Sequence, residues 1–243
     1  MARENVRALR GVQRRMALRA IRAYRTVSEE AALILAGMVP FDFLARAYAE
    51  AYWESRENKT QGREGISGSD NPIEKAIRRA RTRWKEELVR KGAAERRVAG
   101  AVLPHWEQWW KSNPPELTYR VTQVLTGHGC FGKYLGRIEA ESSTRCHHCG
   151  AENDSAQHTL AECVAFDSQR RTLTVSIGSD LSPAAIVEGM LAGGAKGEAI
   201  VSFCEQVMSL KEAAERGRER ANTRRRTRGM QRTARQAARG LET

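Results

Sequence analysis

Residues 146–163 read CHHCGAENDSAQHTLAEC, and the intervals between the cysteines and the last histidine of this stretch decide how the chain is organised. Written as Cys146-x2-Cys149-x8-His158-x4-Cys163, it offers three thiolates and one imidazole, the donor types that zinc takes in closed structural sites. A two-residue gap lets both thiolates converge from one tight turn, which Gly150 helps to reverse, and a four-residue gap sets His158 and Cys163 one turn apart on a short helix. Four protein ligands leave no open coordination position, so the expected zinc is structural and not catalytic. Few large apolar residues lie between Glu139 and Cys163, so the metal is expected to supply the ordering energy that burial cannot. The alternative is a set of unrelated buried cysteines and surface histidines. His147 and His148 are expected to face solvent or nucleic acid, with the substitution of one of them for His158 as the variant reading.

On both sides of this cluster the pattern is helical. Val6, Leu9, Met16 and Ile21 recur among arginines as an amphipathic basic helix, and Thr26 with Glu29 fits a capping box ahead of a helix stopped by Gly37 and Pro40. Phe43, Leu44, Ala47, Tyr48 and Ala51 mark a third helix. Residues 57–71 lose their apolar residues and gain Gly62, Gly65 and Gly68, which reads as a solvated linker. Pro72 opens a helix with the stripe Ile73, Ile77, Ala80, Trp84 and Leu88. Trp106, Trp109 and Trp110 lie on one side of the next helix, either as a packing anchor or as a platform for stacked bases. Leu117, Val121, Val124 and Leu125 line another, ended by Gly127 and Gly129. Beyond Cys163, residues 173–177 are a weak strand candidate, Ser182 and Pro183 start a helix ended by Gly193 and Gly194, and Ile200, Phe203, Val207 and Leu210 line the last. From Arg216 to Arg239 there are ten arginines and one glutamate, a tail expected to add electrostatic affinity without joining the core. The expected fold class is therefore mainly α, with helices flanking a small CCHC zinc knuckle and a basic C-terminal arm. Its expected divisions are helical regions at 1–56 and 72–138, the linker at 57–71, the knuckle at 139–170, helices at 171–215 and the Arg-rich tail at 216–243.

The chain has 243 residues, a net charge of +12 and a pI near 10.0, with 41% hydrophobic residues. That balance suits a folded body with a polyanionic partner. No apolar run is long enough to span a bilayer and Met1 to Arg10 is too charged for a signal peptide, so a soluble, intracellular chain with reduced cysteines is expected. Cys130 and Cys204 stand apart from the cluster.

The segment from Leu125 through Thr126, Gly127, His128, Gly129, Cys130, Phe131, Gly132, Lys133 and Tyr134 to Leu135, running into the CCHC cluster, resembles the C-terminal part of insect non-LTR retrotransposon Pol polyproteins. Gln13-Arg14-Arg15, residues 23–28 (AYRTVS) and Leu35-Ala36-Gly37 are similar to the region just beyond the reverse transcriptase thumb in type-I elements that insert into ribosomal RNA genes. The resemblance implies a parent with RNA-directed DNA polymerase and endonuclease activities in target-primed reverse transcription. It implies Mg2+ for those activities alone, element RNA and target DNA as partners, no membrane or small-molecule partner, and action in the nucleus after synthesis in the cytoplasm. The polymerase of that family needs an Asp-Asp pair, which this sequence lacks, and Pro40-Phe41-Asp42 departs from the Pro-Asp dyad of a restriction-like nuclease. No residue here is therefore expected to be catalytic.

The preferred reading is a binding module in which His147, His148, Lys133, Arg137, Arg145, Arg224, Arg225, Arg226 and Arg228 contact nucleic acid. One alternative is a nuclease using Glu139, Glu141, Asp154 or Asp167, though these share no recognisable metal-binding spacing. The other is a zinc-stabilised protein-interaction scaffold with solvated arginines.

Overall fold

The computed structural model describes residues 3–61, 72–111 and 117–240, with side chains described up to residue 221. Among the described residues there are eleven α-helices and no strand: α1 (Arg3–Ala20), α2 (Glu29–Leu35), α3 (Phe41–Thr60), α4 (Pro72–Arg90), α5 (Arg97–Val102), α6 (Trp106–Lys111), α7 (Tyr119–Thr126), α8 (Gly132–Arg137), α9 (Asp167–Ile177), α10 (Pro183–Ala192) and α11 (Gly194–Gly240). The mainly α reading holds.

Helices α3 and α4 form an antiparallel pair, with Glu50 facing Arg83 at 2.6 Å and Glu54 facing Arg79. The buried stripe of α4 is Ala76, Ala80, Trp84 and Leu88, while Ile73, expected in it, is exposed. Trp84 meets Trp106 and Trp110 edge-on at ring separations of 5.5 and 6.1 Å, and Trp109 donates its indole N–H to the Ile34 carbonyl at 2.9 Å. The tryptophans of α6 are thus core, fixed by α2 and α4, and offer no platform for bases.

Several expectations change with the packing. Gln13, not an apolar residue, sits at the buried centre of α1, where its amide donates to the Val39 carbonyl at 2.7 Å and accepts from the Phe41 N–H at 3.0 Å. With that amide satisfied inside, α1 turns Ala17 and Leu18 inward and Leu9 and Met16 outward, and Ile21 is buried just after it. Ser28, not Thr26, caps α2 through the Ala31 N–H, because Thr26 is taken by the Tyr134 hydroxyl at 2.8 Å. Helix α3 runs through Thr60, so the first residues of the expected linker are helical, and 62–71 lie outside the described residues. The strand candidate at 173–177 is the second half of α9: Leu173 is buried on the helical period and Val175 points to solvent.

The C-terminal elements frame the cysteine cluster. Ser182 caps α10 with Pro183 at its first position, and Gly193, at positive φ, separates it from α11, which Gly194 opens. Helix α11 buries Ile200, Phe203, Cys204, Val207, Met208 and Lys211 against α7, α9 and α10, while Leu210, expected inside, is half exposed. It continues as one helix to Gly240, about 70 Å at 1.5 Å per residue, so the expected boundary at 215 falls inside a helix. The beginning of the Arg-rich stretch is docked, since Arg218 reaches Glu141 at 2.9 Å.

Candidate metal centre

Two backbone hydrogen bonds build the first half of the cluster: the Gly150 N–H donates to the Cys146 carbonyl and the Cys146 N–H to the Ala151 carbonyl, both at 2.8 Å. The reversal needs a left-handed residue, and Gly150 supplies it with φ +81°. Arg145 closes the turn by donating to the Gly150 carbonyl at 3.1 Å. A second closure, Asp154 N–H to the Thr144 carbonyl at 2.8 Å, ties the loop back on itself. That loop lies so close to α8 that a Cβ on Gly132 would be 2.6 Å from the Thr144 carbonyl oxygen.

The second half is a π-turn, His158–Glu162, closed by the Cys163 N–H donating to the His158 carbonyl at 2.8 Å. An i→i+5 bond brings residues five apart onto one side, which is what the interval between His158 and Cys163 requires. Arg170 of α9 holds this turn in place, donating to the Leu160 carbonyl at 2.8 Å and the Cys163 carbonyl at 2.6 Å.

Together the two halves bring one ligand atom from each of Cys146, Cys149, His158 and Cys163 within 4.8 Å of one another. Cys146 Sγ and Cys163 Sγ are 3.8 Å apart, and Cys149 Sγ lies 3.3 Å from His158 Nε2. Tetrahedral zinc with thiolate arms of about 2.3 Å and an imidazole arm of about 2.0 Å sets these edges at roughly 3.8 and 3.5 Å, so the donors fit the ion. His158 Nδ1 faces Glu162 at 3.4 Å, which leaves Nε2 as the metal-facing nitrogen. Burial pushes the Cys149 thiol up but is outweighed by the Ala151 amide and by hydrogen bonds with Cys146, Cys163 and His158, which bring it down to about 7. Cys163 is pushed up to about 12, first by burial and then by its neighbouring sulfurs. Crowded thiols of this kind resist losing a second proton until a cation joins them.

The chain is 30% identical over 184 residues to the Pol polyprotein of the type-1 retrotransposable element R1 4 of Nasonia vitripennis, covering 72% of this chain and 45% of that protein. It is 26% identical over 208 residues to a 115 kDa protein of the type-1 element R1DM of Drosophila melanogaster, covering 83% of this chain and 20% of that protein. A Pol polyprotein of an R1 element from Popillia japonica is 27% identical over 101 residues. This chain is homologous to part of the Pol polyproteins of R1-type retrotransposable elements. It spans less than half the length of these R1 relatives. No protein-family model matches the chain. No solved structure matches it either.

Around the centre of this R1-related chain, the expected nucleic-acid contacts fall into different settings. Lys133 and Arg137 of α8 line one cavity, where Arg137 donates to His128 Nε2 at 2.9 Å and lies over the Tyr134 ring. Arg145 is occupied with the Gly150 carbonyl. His147 is exposed and paired with Glu141 at 2.9 Å, whereas His148, expected to face outward, is half-buried with its ring on Phe166. Neither takes the place of His158 in the ligand cluster. The side chains of Arg224, Arg225, Arg226 and Arg228 lie outside the described ones. The carboxylates of the nuclease reading are dispersed: Glu141 pairs with His147 and Arg218, Asp154 with Lys211, and Asp167 with Arg170. Among the described residues, the Cys3His set is the one group of three or more candidate metal ligands.

Sequence reasoning missed the residues that hold the centre to the helices. Asp154 accepts from the Gly132 N–H at 3.0 Å and from Lys211 Nζ at 2.8 Å, and the pair is buried with 4% and 2% of its side chains exposed. Glu162 was findable, four residues from the histidine ligand; Lys211, 57 residues from Asp154, was not.

Proposed function

We propose that this chain is a zinc-organised, nucleic-acid-holding part of a retrotransposon Pol polyprotein, positioning element RNA or target DNA in the nucleus while other parts of the polyprotein carry out reverse transcription and nicking. The observation that carries the reading is the convergence of Cys146, Cys149, His158 and Cys163 on one point of a strongly basic chain. The four residues would hold zinc as a structural cross-link between the turn after Arg145 and the π-turn, leaving it no open position for substrate. The R1 relatives support the retrotransposon context, and the charge supports phosphate contacts. Mg2+ belongs, in this reading, to the polymerase and endonuclease of the whole polyprotein.

The test pairs metal stoichiometry with binding. Wild-type chain should carry one zinc, and Cys149→Ser should lose it, while Cys130→Ser and Cys204→Ser keep it. Log affinity for nucleic acid should fall against log salt by roughly 0.9 per phosphate contact on duplex DNA and 0.7 on single strands. A metal-free wild type that is fully folded, or a flat salt response, defeats the proposal.

A further inference from the structure

Beside the knuckle, between α5, α8 and the residues leading into the π-turn, lies a cavity of about 580 Å³, within the range of small-molecule sites. Its polar wall is cationic: Arg97, Lys133 and Arg137 line it, and no carboxylate does. Arg97 is the informative one. Its Nε donates to the Val124 carbonyl at 3.1 Å and one Nη to the Gln157 amide oxygen at 3.5 Å, and no carboxylate among the described residues pairs with it. Burial pushes its guanidinium down to about 10, with no opposing charge to restore it. A guanidinium has five N–H donors and stays charged, so two neutral acceptors leave both its donors and its charge incompletely met. Holding such a cation even half-buried is costly unless a counter-ion joins it. Lys133 is exposed at the rim and has no ion pair among the described residues. The floor is apolar, formed by Phe131, Tyr134 and Ala156, all buried.

We infer that this cavity receives one nucleotide of a single strand, its phosphate held by Arg97 and Lys133 and its base laid on the exposed Arg137 guanidinium that covers the buried Tyr134 ring. The inference rests on the nucleic-acid reading above and adds where a strand is gripped. Only an unstacked nucleotide can enter, because a duplex keeps its bases stacked inside. Since Ser155 and Gln157 immediately precede the ligand His158, a strand seated here touches the metal loop and the helical body at once.

Fluorescence anisotropy of a short labelled oligothymidylate with the full zinc-loaded chain tests this across a salt series. Lys133→Gln, an exposed change that leaves the core intact, should weaken binding about fourfold near physiological salt and lower the salt slope by about 0.7. Arg97→Lys, checked for folding by its thermal transition, should also weaken binding, because it removes the fork and keeps the charge. Lys196→Gln, exposed and outside the cavity, is the charge control and should have the smaller effect on both. Thymidine 5′-monophosphate should displace the oligomer at lower concentration than inorganic phosphate, separating a nucleotide site from an anion site. If wild type binds but Lys133→Gln and Arg97→Lys match Lys196→Gln, the cavity assignment is overturned and the nucleic-acid reading stands. Equal losses on a duplex of the same length also overturn it, while failure of wild type to bind any oligomer defeats both.

Discussion

Lys211 and Asp154 meet at 2.8 Å with almost no solvent access, and the carboxylate also receives the Gly132 N–H while the Asp154 carbonyl receives the Lys133 N–H. A buried pair of this kind returns little net stability when whole, yet removing one partner strands the other charge. Lys211→Met should therefore cost about 3–5 kcal/mol by denaturant titration, and adding Asp154→Asn should cost less than the two single changes together. A loss below about 1 kcal/mol for Lys211→Met would mean that water reaches the pair. The pair joins α11 to the loop that leads to His158, a second tie between them beside the one from Arg218 to Glu141. Nothing in the local sequence announced it: an isolated lysine in an arginine- and glutamate-rich helix reads as solvated until the tertiary partner is known.

At the scale of elements, α11 is held between Glu205 and Arg218 by ion pairs from two sides. Arg120 of α7 donates to Glu205 at 2.7 Å and to Glu212 at 2.8 Å, and Arg218 donates to Glu141 beside the cysteine cluster at 2.9 Å. Burial raises Glu141 but is outweighed by hydrogen bonds from His147 and Arg218, so its carboxyl titrates below the ordinary 4.5. Glu205 is lowered in the same way, with Thr118 and Arg120 overcoming burial. A carboxyl held below its unfolded value contributes stability that is fully present above 4.5 and is lost as the pH falls through the folded value. Acidification below pH 4.5 should thus lower the protection of amides against exchange, relative to the unfolded chain at the same pH, in the stretch of α11 around Glu205 and Arg218 before the core melts, and Glu141→Gln should remove most of the effect near Arg218. Unchanged protection in acid would show that these pairs do not hold the helix. Helix existence was legible wherever the apolar period is regular, as in α4 and α10. Helix phase was not legible in α1, because Gln13 is buried for its hydrogen bonds and no hydropathy pattern encodes that. The convergence of Cys146, Cys149, His158 and Cys163 was legible because their geometry is local, set by two turns whose intervals are written in the sequence.

For the molecule as a whole, four of the five tryptophans have a consequence for how it can be followed. Trp84, Trp106, Trp109 and Trp110 share the core of α4 and α6, Trp53 sits exposed on α3 under Arg56, and the cysteine cluster contains none. Intrinsic fluorescence therefore reports on one end of the protein and is silent about the other. A chelator titration should release zinc and loosen residues 139–163 with little shift in tryptophan emission, while heat should red-shift that emission as the helical body opens. A red shift that tracks metal loss point for point would instead show that knuckle and body melt as one cooperative unit. Cobalt in place of zinc would give the silent end its own colour, through thiolate absorption at Cys146, Cys149 and Cys163, so that a single sample carries two independent optical clocks.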